Sequence, residues 1–165
     1  MTIGPGRYNI FGMADVTADD VPVPALLRAA RGAYGHAIAD RLAAAGFDDL
    51  PRNGPYVLGG MVSHGGSAGG LVRELGISKQ AASQLIDTLV IRGYLERQVN
   101  TEDRRQVVVA VTDRGRAAAV AVRAGVTAVD TELAGMISPA EFDGLRAGLV
   151  ALTDIRERME DARRR

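Results

Sequence analysis

The apolar positions of the chain fall into runs with a helical period, interrupted once by an alternating stretch. From about Pro24 to Ala45, the residues Leu27, Ala30, Tyr34, Ala37, Ile38, Leu42 and Ala45 recur at spacings of three and four, which predicts a helix stopped by Gly46. PRNGPYVLGGMVSH predicts a short helix with Pro55 at its start and Val57, Leu58, Met61 and Val62 turned inward. SAGGLVRELG predicts another, capped by Ser67, with Leu71, Val72 and Leu75 facing in; Gly69 and Gly70 weaken it by about 1 kcal/mol each. In GISKQAASQLIDTLVIRG, Ser78 is a natural N-cap and Gly93 a natural stop. Between them Ala82, Leu85, Ile86, Leu89 and Val90 make one apolar stripe, with Lys79, Gln80, Ser83, Gln84 and Asp87 opposite.

The period then changes. ERQVNTEDRRQVVVAVT predicts a hairpin, with strands near 94–99 and 106–111 and two acids and two arginines at its tip. Thr112 caps a long alanine-rich helix over roughly 113–135. Ser138-Pro-Ala-Glu141 is a capping box that opens a last helix carrying Phe142, Leu145, Leu149, Leu152, Ile155 and Met159. Residues 1–22 show no sustained period and read as an arm or flexible tail. The fold class expected is mainly α with a small β-hairpin.

Composition narrows the function classes. Apolar residues make up 47% but aromatics only 4%, so the core must be built from Ala, Val, Leu and Ile. The absence of cysteine excludes a disulfide scaffold, a thiol redox sensor and cysteine-ligated zinc. Two histidines without carboxylates at ligand spacing make a poor metal site, so no metal or cofactor is expected. No stretch approaches the roughly 18 apolar residues of a membrane span, and the N-terminus lacks a signal-peptide pattern, so a cytoplasmic protein is the default expectation. GGSAG at 65–69 matches the Gly-x-Ser-x-Gly elbow of hydrolases, but the segment before it is helical and neither His36 nor His64 follows Ser67. The sequence therefore does not predict an enzyme.

Helix, tight turn, helix, hairpin is the order of a helix-turn-helix followed by a wing. The second helix carries short polar side chains on its outer face, and such a helix fits a DNA major groove. Ser78, Lys79, Gln80, Ser83 and Gln84 are the candidate contacts; the same residues would also suit a solvated face, and the neighbouring hairpin shifts the balance toward DNA. At the tip, Asp103 is placed to hold Arg105 extended toward a narrow minor groove, while Arg104 points to phosphate or solvent. Net charge is zero, against the basic excess common in nucleic-acid binders. Between Arg73 and Arg116 there are eight basic and six acidic residues, a local excess of two, so moderate affinity with a weak nonspecific part is expected.

LVRELGISKQAASQLIDTLVIRGYLER, then EDRR, then VAVTDRG, resemble in this order the MarR family of winged-helix transcription regulators. Asp103-Arg104-Arg105 matches the family's Asp-x-Arg wing signature, and Val111-Thr112-Asp113-Arg114-Gly115 its Leu-Thr-x-x-Gly, with valine for leucine. The Gly69–Gly70 pair departs from it, where good helix formers are usual. The resemblance spans most of residues 24–160. It implies a winged helix-turn-helix over 51–112, flanked at 23–50 and 113–162 by helices that form a homodimer interface. It also implies a repressor on palindromic double-stranded DNA, with a small aromatic or phenolic effector in a crevice. Tyr34, His36 and Tyr56 could line that crevice, although core or interface packing is the more common role for such residues. The competing class is a winged-helix module for protein association, without a DNA target.

Overall fold

The computed structural model describes residues 8–10, 13–16, 20–64, 67–99 and 107–164. The elements are β1 (Tyr8–Ile10), β2 (Met13–Val16), α1 (Val23–Ala44), α2 (Gly54–His64), α3 (Ala68–Glu74), α4 (Lys79–Ile91), β3 (Leu95–Val99), β4 (Val107–Val111), α5 (Asp113–Met136) and α6 (Pro139–Arg164). They divide into two compact units, Ala30–Ala128 and the two ends Met1–Ala29 with Val129–Arg165.

The Ala30–Ala128 unit holds the buried core. Val57 and Leu58 of α2, Val72 of α3, Leu89 of α4, Tyr94 and Leu95 at the start of the hairpin, and Ala118 and Val122 of α5 are its centre. Truncating a side chain such as Leu89 to alanine in a core of this kind costs about 2–5 kcal/mol. The α4 stripe is as the sequence predicts: Ala82, Leu85, Ile86 and Val90 pack against this cluster around Leu89. Left-handed glycines punctuate the unit, with φ +76° at Gly46 after α1, +64° at Gly76 between α3 and α4, and +73° at Gly93 after α4. Side chains with a Cβ are strained there, so the turns stay short and the helices end where they must. Ser67 accepts from Gly70 N at 3.1 Å, which caps α3 as expected. One inward expectation fails: Val62 is 39% exposed, because that side of α2 opens onto a groove instead of the core.

β3 and β4 pair antiparallel from Leu95↔Val111 to Val99↔Val107. The hairpin is joined to α5 by one tight junction. Thr112 Oγ1 donates to the carbonyls of Gly93 at 2.6 Å and Tyr94 at 3.0 Å, and accepts from Gly115 N at 3.0 Å. A Cβ at position 115 would lie 2.2 Å from the Tyr94 carbonyl oxygen and 2.8 Å from Val111 Cγ1. The Thr-x-x-Gly spacing is therefore a packing requirement: threonine caps the helix and glycine lets its first turn touch the strand.

In the second unit, α6 opens on the predicted capping box, with Ser138 N donating to Glu141 Oε2 at 2.8 Å and Glu141 N to Ser138 Oγ at 3.3 Å. Leu145, Leu149, Leu152, Ile155 and Met159 are each at least 40% exposed in the single chain. Within the N-terminal segment, expected as an arm or flexible tail, β1 and β2 pair antiparallel through Tyr8↔Val16 and Ile10↔Met13. Strands of three and four residues are too short to display a period of two, so their pattern cannot be read in the sequence.

Two substitutions separate steric need from helix propensity. Gly115→Ala should lower the unfolding free energy by at least about 1–3 kcal/mol, as overpacking does. Gly69→Ala, where a Cβ meets nothing within 4 Å, should raise it by up to about 1 kcal/mol. Urea titrations monitored by circular dichroism check both, and an unchanged midpoint for Gly115→Ala would contradict the junction described.

Candidate nucleic-acid interface

The candidate surface is built on α4. Ser78 stands outside the helix with φ −62° and ψ 155°, and its hydroxyl accepts from Ala81 N at 3.2 Å. Lys79, Gln80, Ser83 and Gln84 follow at spacings that place them on one side, and all four are exposed together with Ser78. The opposite side is anchored in the core, so the polar row is presented by a rigid support. Thirteen residues at about 1.5 Å each make a rod of roughly 20 Å, and a helix with its side chains is about 10–12 Å across, the scale of a major groove.

The wing is fastened to this helix. Arg97 of β3 donates to Asp87 of α4, with about half of each side chain exposed. A pair this exposed contributes at most about 1 kcal/mol. Its value lies in tying the hairpin's angle to the helix. Asp103, Arg104 and Arg105, the candidate wing contacts, lie outside the described residues.

A polar cluster at the base of the wing has no counterpart among the sequence expectations. The Tyr94 hydroxyl donates to Asp49 Oδ1, and Arg114 Nη2 reaches the same oxygen at 2.9 Å and the tyrosine oxygen at 3.2 Å. The guanidinium of Arg92 donates to the Asp49 carbonyl. The Arg114 guanidinium stands 4.7 Å from the Tyr94 ring centroid and 5.5 Å from that of Phe47, and the two rings meet edge to face at 6.2 Å. The hydrogen bond from Tyr94, and then the charges of Arg114 and Arg92, hold the Asp49 carboxyl below its ordinary value of 3.8. The cluster joins the α1–α2 connection to the exit of α4 and the entry of α5. Its members stand up to 65 residues apart, a distance over which no local pattern speaks; the only sequence hint is the acidic pair Asp48-Asp49 ahead of Leu50-Pro51.

The three candidate effector residues lie on two helices, Tyr34 and His36 on α1 and Tyr56 on α2. Tyr34 is half-buried and His36 exposed on α1, and positions two apart on a helix face different sides. Tyr56 is 44% exposed on α2. A cavity of about 450 Å³ lies elsewhere in this unit, lined by Met61, Val62, Glu96, Gln98, Ala110, Val111 and Arg116. Arg116 is partly engaged there, donating to the Val111 carbonyl at 2.6 Å and paired with Asp113 at 2.5 Å.

The sequence pattern of the MarR family matches residues 48–106, which run from the Asp49 cluster through α4 to the hairpin. That stretch is similar to the winged helix-turn-helix of the MarR family. Solved structures with this arrangement include ones named as a MarR family transcription regulator and a probable transcriptional regulator. Solved structures agree on the fold. RV1404 from Mycobacterium tuberculosis is 26% identical with a TM-score of 0.61, covering 85% of this chain and 95% of that one. MarR from E. coli in its reduced form is 22% identical with a TM-score of 0.60, covering 80% and 96%. A probable transcriptional regulator from Pseudomonas aeruginosa is 21% identical with a TM-score of 0.59, covering 81% and 98%. No curated protein matches the chain. Among the described residues no helix is long and apolar enough to cross a membrane, and no cluster of metal-ligating side chains occurs.

The MarR-type module yields a prediction about acid stability. Because the Asp49 carboxyl is held below 3.8, its contribution is fully present above that value and is lost as pH falls through it toward the lower folded-state value. Asp49→Asn should therefore be less stable than the parent at neutral pH, and the two should converge in strong acid. Thermal unfolding from pH 7 to pH 2 checks this; a gap that persists unchanged at pH 2 would mean that the carboxylate charge is irrelevant to the cluster.

Proposed function

We propose that the chain is a homodimeric repressor that reads a palindromic operator, with α4 in the major groove of each half-site and the wing in the flanking minor groove. The observation that carries this reading is the exposed row Ser78, Lys79, Gln80, Ser83 and Gln84 on a helix whose other side is locked into the core and whose wing is tied to it through Asp87. Glutamine pairs bidentately with adenine, and serine donates or accepts. Arg105, steadied by Asp103, is assigned to the minor groove and Arg104 to phosphate, in keeping with the alternation of side chains along an extended arm. The exposed apolar edge of α6 supports the dimer, because a row of leucine and isoleucine along more than four turns is the kind of surface a second copy covers. Relief of repression is assigned to a small aromatic or phenolic effector, with Tyr34 and Tyr56 as the aromatic contacts and His36 as a polar one.

Light scattering at micromolar concentration should report twice the chain mass, and a stable folded monomer would remove the architecture. A gel shift against DNA from upstream of its own coding sequence should give a discrete complex; a protein that dimerises but shifts no fragment would favour the protein-association class that zero net charge suggests. On the preferred site, Gln84→Ala should cost roughly 1–3 kcal/mol and relax the choice of base. Arg105→Ala should weaken binding strongly, whereas Arg104→Ala should mainly reduce the salt slope, by about one for one phosphate. If the two arginine variants behave alike across a salt series, the wing is a diffuse charge patch without a groove-reading side chain.

A further inference from the structure

Lysine occurs once in this chain; the other nineteen of its twenty Lys and Arg side chains are arginine. The single lysine is Lys79, the first residue of α4, and it is exposed. It is also the only cation within α4, whose one other charged residue, Asp87, is paired with Arg97. Arginine and lysine are not chemically equivalent at such a place. A guanidinium with a pKa above about 12 stays protonated and does not act as a nucleophile, whereas a primary amine supplies a neutral fraction that attacks acyl carbons. The chain thus places its one side-chain primary amine on the surface assigned to DNA.

We propose that Lys79 is an acylation site through which acyl donors of the acyl phosphate class weaken DNA binding. The inference rests on the reading of α4 as the groove-facing helix. In the reaction the neutral Nζ attacks the acyl carbon, the bond from that carbon to the phosphate oxygen breaks, phosphate leaves with the electron pair, and the amine proton passes to solvent. The product is a neutral amide that keeps the lysine stem but carries no charge. After the reaction α4 retains only the carboxylate of Asp87, and a phosphate contact made by Lys79 is lost in each protomer. Losing one such contact corresponds to a fall of roughly tenfold in affinity per protomer at about 0.1 M salt, with the salt slope reduced by about one. Because the amine lies on the surface that DNA covers, bound operator should also shield it from the reagent.

The test uses the full chain, acetyl phosphate as the probe, and a DNA fragment that the untreated protein shifts. Peptide mass mapping should find acetylation at Lys79, slower when the fragment is present, and the treated protein should bind at least tenfold more weakly with a shallower salt slope. Lys79→Gln should reproduce the loss without reagent. Lys79→Arg, whatever its starting affinity, should show the same affinity before and after treatment, which separates Lys79 from acetylation of the chain's α-amino group. If Lys79 stays unmodified under conditions that acetylate a reference lysine peptide, the proposal is overturned and the DNA-binding reading stands. The same holds if Lys79 is acetylated with affinity unchanged, or if Lys79→Arg loses affinity as much as the parent. If the untreated protein shifts no DNA at all, the functional reading falls and takes this proposal with it.

Discussion

The carbonyl of Tyr94 is the point on which the Ala30–Ala128 unit turns. It receives the Thr112 amide at 3.2 Å and the Thr112 hydroxyl at 3.0 Å, and the first turn of α5 passes so close that only glycine fits at 115. Three elements meet there: α4 has just ended at the left-handed Gly93, the hairpin begins, and α5 departs. Tyr94 itself is fully buried, so the junction cannot slide without opening the core. This crowded contact, together with the Arg97–Asp87 pair, sets the angle of the hairpin against α4.

The polar cluster around Asp49 reinforces the same geometry from outside. Its ion pair is about 42–43% exposed on either side, and pairs of that exposure add little stability. The ring contacts and burial of Tyr94 hold the region together; burying an aromatic side chain of this size outweighs any one surface charge pair. What the charges add is direction. Arg114 leaves α5 and Arg92 leaves α4, and both end on Asp49, so the two helices share one anchor in the α1–α2 connection.

Features that act within a few residues were legible in the sequence. Ser67, Ser78, Thr112 and the Ser138–Glu141 box are caps whose partners lie three residues away, and Gly46, Gly76 and Gly93 stop or turn the chain by their own conformation. The exposed row on α4 was legible for the same reason, since a period of 3.6 sorts Gln80 and Gln84 from Leu85 and Leu89 without reference to any other segment. The Asp49 cluster was not, because its meaning depends on Tyr94 and Arg114, 45 and 65 residues further on. Val62 was assigned inward by periodicity alone, which identifies an apolar side of a helix but not whether a neighbour covers it.

A chain with no net charge can still address DNA if its cations are unevenly committed. Arg97, Arg114 and Arg116, all beside α4 or the wing, are each paired with a carboxylate at 87, 49 and 113. Those pairs lock the scaffold and at the same time withhold their charges from a diffuse attraction to phosphate, which is the source of nonspecific affinity. Lys79 stands apart from them at the start of α4, flanked by serine and glutamine instead of acids. On the proposed reading of α4 as the DNA-facing helix, affinity there depends on few positive contacts and on shape and hydrogen bonding along α4. Such a surface discriminates well relative to its strength, because the sequence-independent share of the binding energy is small, and for the same reason the loss of a single charge there is felt in full.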